Sequence, residues 1–364
     1  MRLVIDARMM GAGNTRGIGR YIKELTDHLR PLLAQNDEMI LLDPKIPWYG
    51  FAEQLRFPSI IRQAKPDLLW IPHWNVPLLY RGPLAITVHD LLLIHQPISA
   101  KASTRGPIIS WLKRIGHKII LSNALRRAST ILVPTQYVAD DIKEYFPSAS
   151  HKVVVTGEGL SDLSQSGKRK VESDSLRSPL STLRNGQYLL YVGSAYPHKR
   201  LDLLIDAWST LSKKHPTLSL VITGKDDIFL SRIKSMVEEN RVERVLFAGP
   251  VDDQELSSLY SNASAFVFPS SFEGFGLPPI EALASGTPVI VSDIPVLREV
   301  LPSEGVFFFK SGEKDGMIDA IETVLADLPK ARLEAAQGGQ EVRRRHRWED
   351  AAERTFQAFR SIAH

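Results

Sequence analysis

Two glutamates with seven residues between them carry the clearest chemical signal in the chain. They lie in Phe268-Pro-Ser-Ser-Phe-Glu273-Gly274-Phe275-Gly276-Leu277-Pro278-Pro279-Ile280-Glu281-Ala282. An apolar run that reads as a strand feeds a loop with two glycines. Two prolines then stand where a helix begins, a position proline tolerates, and Gly286 marks its end. The helix spans barely two turns, with Glu281 in the first. Carboxylates accept hydrogen bonds from vicinal sugar hydroxyls, and the amides of Gly274, Phe275, Gly276 and Leu277 can cradle an anion between them. The alternative is a dipole-complementing glutamate beside an ordinary turn. Two carboxylates bracketing a glycine loop at a helix start favour a ligand site.

A second cluster follows another apolar run: Tyr191-Val-Gly193-Ser194-Ala-Tyr-Pro-His198-Lys199-Arg200. Cations at a helix start oppose its dipole and call for an anion. Clustered there, they suit a diphosphate, whose charge rises as a phosphate leaves. Solvated surface residues are the plainer alternative. Near the start, Gly11, Gly13, Gly17 and Gly19 precede Arg20, where glycines let backbone amides approach a ligand closely. Their spacing is not that of a dinucleotide fingerprint, and a flexible turn is the alternative. Midway, His89-Asp90 ends an apolar run, and Asn75 lies in a second polar cluster, Trp70-Ile-Pro-His73-Trp-Asn75. His89 is open to three readings: a general base, a metal ligand, or a hydrogen-bonded structural histidine. No Asp-x-Asp, His-Glu-x-x-His or cysteine cluster is present, so no metal is expected.

Short apolar runs alternate with amphipathic stretches almost throughout. Arg2–Asp6, 84–88 and Thr130–Val133 read as strands, and Ile18, Ile22, Leu25 and Leu29 form one face of a helix. Later strands are expected at 188–193, 218–223, 245–248, 265–268, 288–292 and 306–309, with helices at 201–214, 228–240 and 252–262 between them. Such alternation gives parallel, doubly wound sheets. Ligands then bind beyond the carboxyl ends of the strands, and all the clusters above follow strands. The stretch 161–186 is rich in Ser, Lys and Arg and lacks periodicity, so it reads as a linker.

The chain has 364 residues, 43% hydrophobic and 24% charged, with a formal net charge of +4 and no cysteine. That length suits two domains, and the missing cysteines exclude a disulfide framework and fit a reducing compartment. The first residues form too short an apolar run for a signal peptide. No run approaches the roughly 18 apolar residues of a membrane span. A cytoplasmic protein, with peripheral attachment to the membrane's inner face as an option, is expected. No aromatic-interleaved basic stripe suggests nucleic acid. Stretch 101–127 mixes Trp111, Leu112, Ile115, Ile119 and Leu121 with Lys113, Arg114, Lys118, Arg126 and Arg127. It reads as a helix on its own sheet or as a basic amphipathic face for anionic membrane.

Together Glu-Gly-Phe-Gly-Leu-Pro-Pro-Ile-Glu-Ala, the Gly-Arg-Tyr turn, Val-His-Asp-Leu and Tyr-Pro-His-Lys resemble the signature of family 4 retaining glycosyltransferases, closest to bacterial polysaccharide and O-antigen mannosyltransferases. The resemblance implies a GT-B fold, two Rossmann-like parallel-sheet domains facing a central cleft. The boundaries would be 1–170 with a returning helix at about 347–364, a 171–186 linker, and a nucleotide-sugar domain at 187–346. It implies that Glu281 binds the ribose, Glu273 and the amides of 274–277 the donor sugar, and Lys199 with Arg200 the diphosphate. His89 would sit at the sugar hydroxyls, Gly17, Gly19 and Arg20 at the phosphate and acceptor, and Asp90 and Asn75 on the acceptor side. GDP-mannose is the implied donor, and the acceptor a glycan or lipid-linked saccharide. UDP- or dTDP-linked glucose or rhamnose are alternatives, and no further cofactor is implied. Ser194 departs from the family's arginine, leaving the second diphosphate cation to Arg200, Lys225 or another residue. A glycoside hydrolase, which also uses paired carboxylates, and a non-catalytic nucleotide-sugar binder are the rival classes.

Overall fold

The computed structural model describes residues 1–10, 17–46, 50–95, 106–161, 163 and 187–362, without the side chains of 51 and 106–115. The 11–16 half of the glycine-rich turn, the 171–186 stretch read as a linker, and the side chains of Trp111 to Ile115 lie outside them. The chain divides into two compact units, Met1–Gly159 with His346–His364, and Leu160–Arg345.

The first unit runs β1 (Arg2–Asp6), α1 (Ile18–Leu29), β2 (Glu38–Leu42), α2 (Phe51–Ala64), β3 (Leu68–Ile71), β4 (Leu84–Thr87), α3 (Leu92–His95), α4 (Gly106–Arg127), β5 (Thr130–Val133), α5 (Gln136–Tyr145) and β6 (Val153–Val155). Its sheet is ordered β2-β1-β3-β4-β5-β6, and every pairing is parallel. β3, β4 and β5 are buried along their whole length, as expected where both faces of a parallel sheet are covered. Ile22, Leu25 and Leu29 are fully buried, Ile18 only half, and Tyr21 joins the same face.

The second unit runs β7 (Tyr188–Val192), α6 (Leu201–Lys214), β8 (Ser219–Thr223), α7 (Ile228–Glu239), β9 (Val245–Gly249), α8 (Asp253–Asn262), β10 (Ala265–Phe268), α9 (Leu277–Ala284), β11 (Val289–Asp293), α10 (Pro295–Val300), β12 (Val306–Lys310), α11 (Lys314–Ala326) and α12 (Leu328–Arg345). Its order is β12-β11-β10-β7-β8-β9, again parallel throughout. The expected 201–214 helix carries Leu204, Ile205, Trp208 and Leu211 inward, all fully buried.

A last helix, α13 (Trp348–Arg360), belongs to the first unit. Trp348, Ala351, Ala352 and Phe359 join Tyr21, Ile22, Leu25 and Trp70 in one core. Trp348 seats directly on Gly159, where an added Cβ would meet the Trp348 backbone nitrogen at 2.5 Å and its ring at 2.4 Å.

In each sheet the chain reverses its direction of growth once, between β1 and β3 and between β7 and β10. At such switch points the connections leave to opposite sides and open a crevice beyond the strand ends.

Candidate active site

The β7–β10 switch point holds the strongest cluster. Lys199 closes the short turn Pro197–Lys199 after β7, and Glu273 lies in the loop after β10. Lys199 Nζ donates to Glu273 Oε1 at 2.6 Å, with both side chains largely buried. The two turns are laced together. The His198 carbonyl accepts from the Ser271 amide at 2.7 Å, Ser271 Oγ at 3.0 Å and Ser270 Oγ at 3.2 Å. Ser270 is fully buried, and Phe272 and Phe275 anchor the loop into the core. The cation and the carboxylate are thus mounted on one rigid corner.

The His198 ring is buried, and burial together with the Lys199 charge pushes its pKa down to about 4. Its folded pKa lies below the free value of 6.5, so the neutral form contributes stability above pH 6.5 that is lost as pH falls toward 4. The loss runs at up to about 1.4 kcal/mol per pH unit. His73 and His117, whose pKa values burial also lowers, add slopes of their own in the same window. The His198 share is therefore expected as a shallower slope in His198→Asn than in the unmodified chain, in denaturant titrations from pH 7.5 to 4.5.

α9 starts at Leu277 with Gly276 as its N-cap, which corrects the sequence reading of Glu281. The glutamate stands in the second turn, not the first, because Leu277, Pro278 and Pro279 already occupy the first. It is 6% exposed, and Tyr260 Oη donates to its Oε2 at 3.0 Å. Burial and a hydroxyl partner distinguish it from a residue that merely complements a helix dipole. Gly276 has φ +95°, and a Cβ there would meet Leu297 Cδ2 at 2.8 Å. Gly276→Ala is therefore expected to cost about 1–3 kcal/mol, read as a lowered melting temperature, and to weaken any anion bound by the 274–277 amides.

The remaining cations of this corner diverge. Arg200 adopts φ +51°, its Nε lies 3.4 Å from Asp202 Oδ1, and Gly312 is beside its guanidinium. The Ser194 carbonyl accepts from Tyr191 Oη at 2.7 Å. Lys225 is exposed just beyond β8.

In the first unit His89 is held on both ring nitrogens. Nε2 donates to the Pro72 carbonyl at 3.2 Å, and Nδ1 lies 3.4 Å from Glu158 Oε1. The Tyr21 ring meets its face edge-on at 4.8 Å. Asp90 Oδ1 accepts from the Leu92 amide and so caps α3. Gly17, at φ +68°, is the N-cap of α1, with Gly19 and Arg20 in the first turn. Asn75 is fully buried, and its amide donates to both oxygens of Glu53 at 3.0 Å. Reading the sequence missed Arg8, Glu53, Glu158 and Tyr260, each defined by a partner far along the chain.

Among the described residues no helix is long and apolar enough to cross a membrane, and no three His, Asp or Glu side chains converge as a metal would require.

Comparison with known proteins finds a family match in each of the two units. The model for glycosyltransferase family 4 matches residues 15–161, and that for glycosyl transferases group 1 matches 174–342. The O-antigen chain mannosyltransferase RfbU of Salmonella typhimurium is 29% identical over 84% of this chain and 74% of its own. Sucrose-phosphate synthase of Thermosynechococcus elongatus superposes with TM-score 0.78 at 21% identity over 99% and 98% of the two chains. Anabaena HepE, solved with UDP and glucose, gives 0.74 at 17% identity over 99% and 100%. The two parallel sheets are those of the GT-B fold. With one model on each unit, the Lys199–Glu273 corner at a switch point and mannosyltransferase relatives, the chain belongs to the group 1, family 4 glycosyltransferases.

Proposed function

We propose that this glycosyltransferase moves a mannosyl group from GDP-mannose to a glycan or lipid-linked saccharide in cell-surface polysaccharide synthesis, retaining the α configuration without metal or further cofactor. The observation that carries the proposal is the Lys199–Glu273 pair at the β7–β10 switch point, where a cation, a carboxylate and a glycine loop meet. Lys199 takes the diphosphate, Glu273 and the 274–277 amides the donor sugar, and Glu281 the ribose. His89 faces the donor hydroxyls, with Gly17, Gly19 and Arg20 at the phosphate and acceptor and Asp90 on the acceptor side. Asn75 serves that side indirectly, by holding its turn. The bond from the sugar's anomeric carbon to phosphate oxygen breaks, and its electron pair leaves with the phosphate. The acceptor hydroxyl bonds the same face of that carbon and passes its proton to the departing phosphate. Lys199 stabilises the charge that develops.

A second reading, a UDP-sugar donor, draws on HepE, whose structure holds UDP and glucose. Calorimetric titration with GDP-, UDP- and dTDP-sugars in metal-free buffer separates them. GDP-mannose is expected to bind tightest and to release GDP when an acceptor saccharide is added. Binding of UDP-glucose alone supports the second reading, and absence of binding to every donor sinks both. Cytoplasmic localisation with peripheral docking of the 101–127 stretch on anionic membrane completes the proposal. Co-sedimentation with anionic vesicles that is indifferent to charge reversal at Lys113 and Arg114 would contradict the docking.

A further inference from the structure

The first unit carries a buried ionic network that no step above uses, and it lies at that unit's own switch point, between β1 and β3. Asp6 is the last residue of β1. Arg8 grips it in parallel, Nε to Oδ1 at 2.8 Å and Nη2 to Oδ2 at 2.7 Å, and the same Nη2 reaches Glu53 Oε1 at 2.9 Å. The guanidinium lies 3.9 Å over the Phe57 ring. Arg8 is nearly buried, and the Asp6 and Glu53 side chains are wholly so.

From Glu53 the contacts run toward His89. Both Glu53 oxygens accept from Asn75 Nδ2, and the Asn75 backbone N–H donates to His73 Nδ1 at 3.1 Å. That bond needs a bare nitrogen, and burial, which pushes the His73 pKa down to about 3, keeps it bare. The turn pinned in this way carries the Pro72 carbonyl, which accepts from His89 Nε2. The ends of β1 and β3 thereby fix one side of the imidazole, while Glu158, beyond β6, flanks the other.

Stability alone does not explain such a network. Two carboxylates and one guanidinium removed from water are costly, and apolar side chains of similar volume commonly do as well. A forked cation held by two carboxylates supplies fixed geometry instead. We infer that Arg8 and Glu53 are positioning residues for His89, setting through Asn75 the place of the Pro72 carbonyl that holds the imidazole. The inference rests on the role proposed for His89 at the donor sugar.

The test uses the full chain with nitrogen-15-labelled histidine, reading the His89 ring resonances by NMR beside transfer kinetics and nucleoside diphosphate affinity. Glu53→Ala is expected to shift the His89 resonances and to lower kcat about tenfold to a hundredfold, as misplacement of a reacting group does. Nucleoside diphosphate affinity stays unchanged, since neither Arg8 nor Glu53 is among the residues proposed to hold the diphosphate. Glu53→Gln keeps the Oε1 that accepts from both Arg8 Nη2 and Asn75 Nδ2 and gives up only the second acceptor, so it restores most of both readouts. Should Glu53→Ala fail to fold, Arg8→Lys, which keeps the charge but loses the parallel grip, gives the same shift and loss. A folded variant with wild-type His89 resonances overturns the inference, as do equal losses in the Ala and Gln variants. A wild-type chain that transfers from no donor defeats the proposed reaction instead, and the resonances still decide the positioning.

Discussion

Glu273→Gln is expected to slow sugar transfer by about a hundredfold or more while binding nucleoside diphosphate at least as tightly as the unmodified chain. The two effects have separate causes. Lys199 Nζ donates to Glu273 Oε1 at 2.6 Å, so a diphosphate arriving at the lysine competes with a carboxylate built into the site. The neutral amide withdraws that competitor and leaves Lys199 to the phosphate. The same change removes the charged acceptor proposed for the sugar hydroxyls, and loss of one preorganised polar contact to the reacting group costs about 10²–10³ in rate. Lys199→Ala should behave in the opposite way. It gives up a charge-assisted contact worth about 1.5–3 kcal/mol and leaves Glu273 to repel the diphosphate, so affinity itself falls. Calorimetry with GDP and single-turnover transfer measure the two quantities independently. A Glu273→Gln chain that binds GDP more weakly contradicts the competition.

The second large effect is on stability. Arg8→Met is expected to destabilise the first unit by about 3–5 kcal/mol, the usual consequence of removing one partner from a buried ionic group. Methionine fills much of the space over Phe57 but leaves Asp6 and Glu53 facing each other, both with fully buried side chains. Burial already raises the Asp6 pKa despite the pairing with Arg8. Without the guanidinium that pairing is gone, and the folded state gains by keeping Asp6 protonated. An acid whose folded pKa lies above its unfolded value loses stability as pH rises through that interval. The deficit of Arg8→Met, measured by denaturant unfolding, should therefore be larger at pH 8 than at pH 5. A deficit independent of pH would mean that lost packing on Phe57, not stranded charge, is the cause.

What the sequence made legible followed from how far apart the deciding residues lie. Central strands such as Thr130–Val133 and Ala265–Phe268 are apolar on both faces and announce themselves. β2 and β6 are the edge strands of their sheet and half exposed, so their runs do not stand out. Local context marks Lys199, Glu273 and Glu281, yet the ion pair joins positions 74 residues apart, a separation that no periodicity encodes. Glu53 is the plainest loss. In sequence it is an acidic residue in the first turn of a helix, a place where glutamate normally lies in solvent. Its burial depends on Arg8, 45 residues earlier. Sequence places Glu281 in the right helix and the wrong turn, because two adjacent prolines mark a helix start only to within a residue or two.

The seating of Trp348 on Gly159 has a consequence for how the protein is made. The second unit is one uninterrupted stretch of chain, whereas the first is closed by residues that leave the ribosome after all of the second. Until α13 emerges, Tyr21, Ile22, Leu25 and Trp70 lack the cover that Trp348, Ala352 and Phe359 give them. The nascent chain therefore carries an open apolar face through roughly half of its synthesis, while the later unit can close on its own. The first unit to be translated is the last to be completed, so exposure to chaperones and to aggregation during synthesis falls on it.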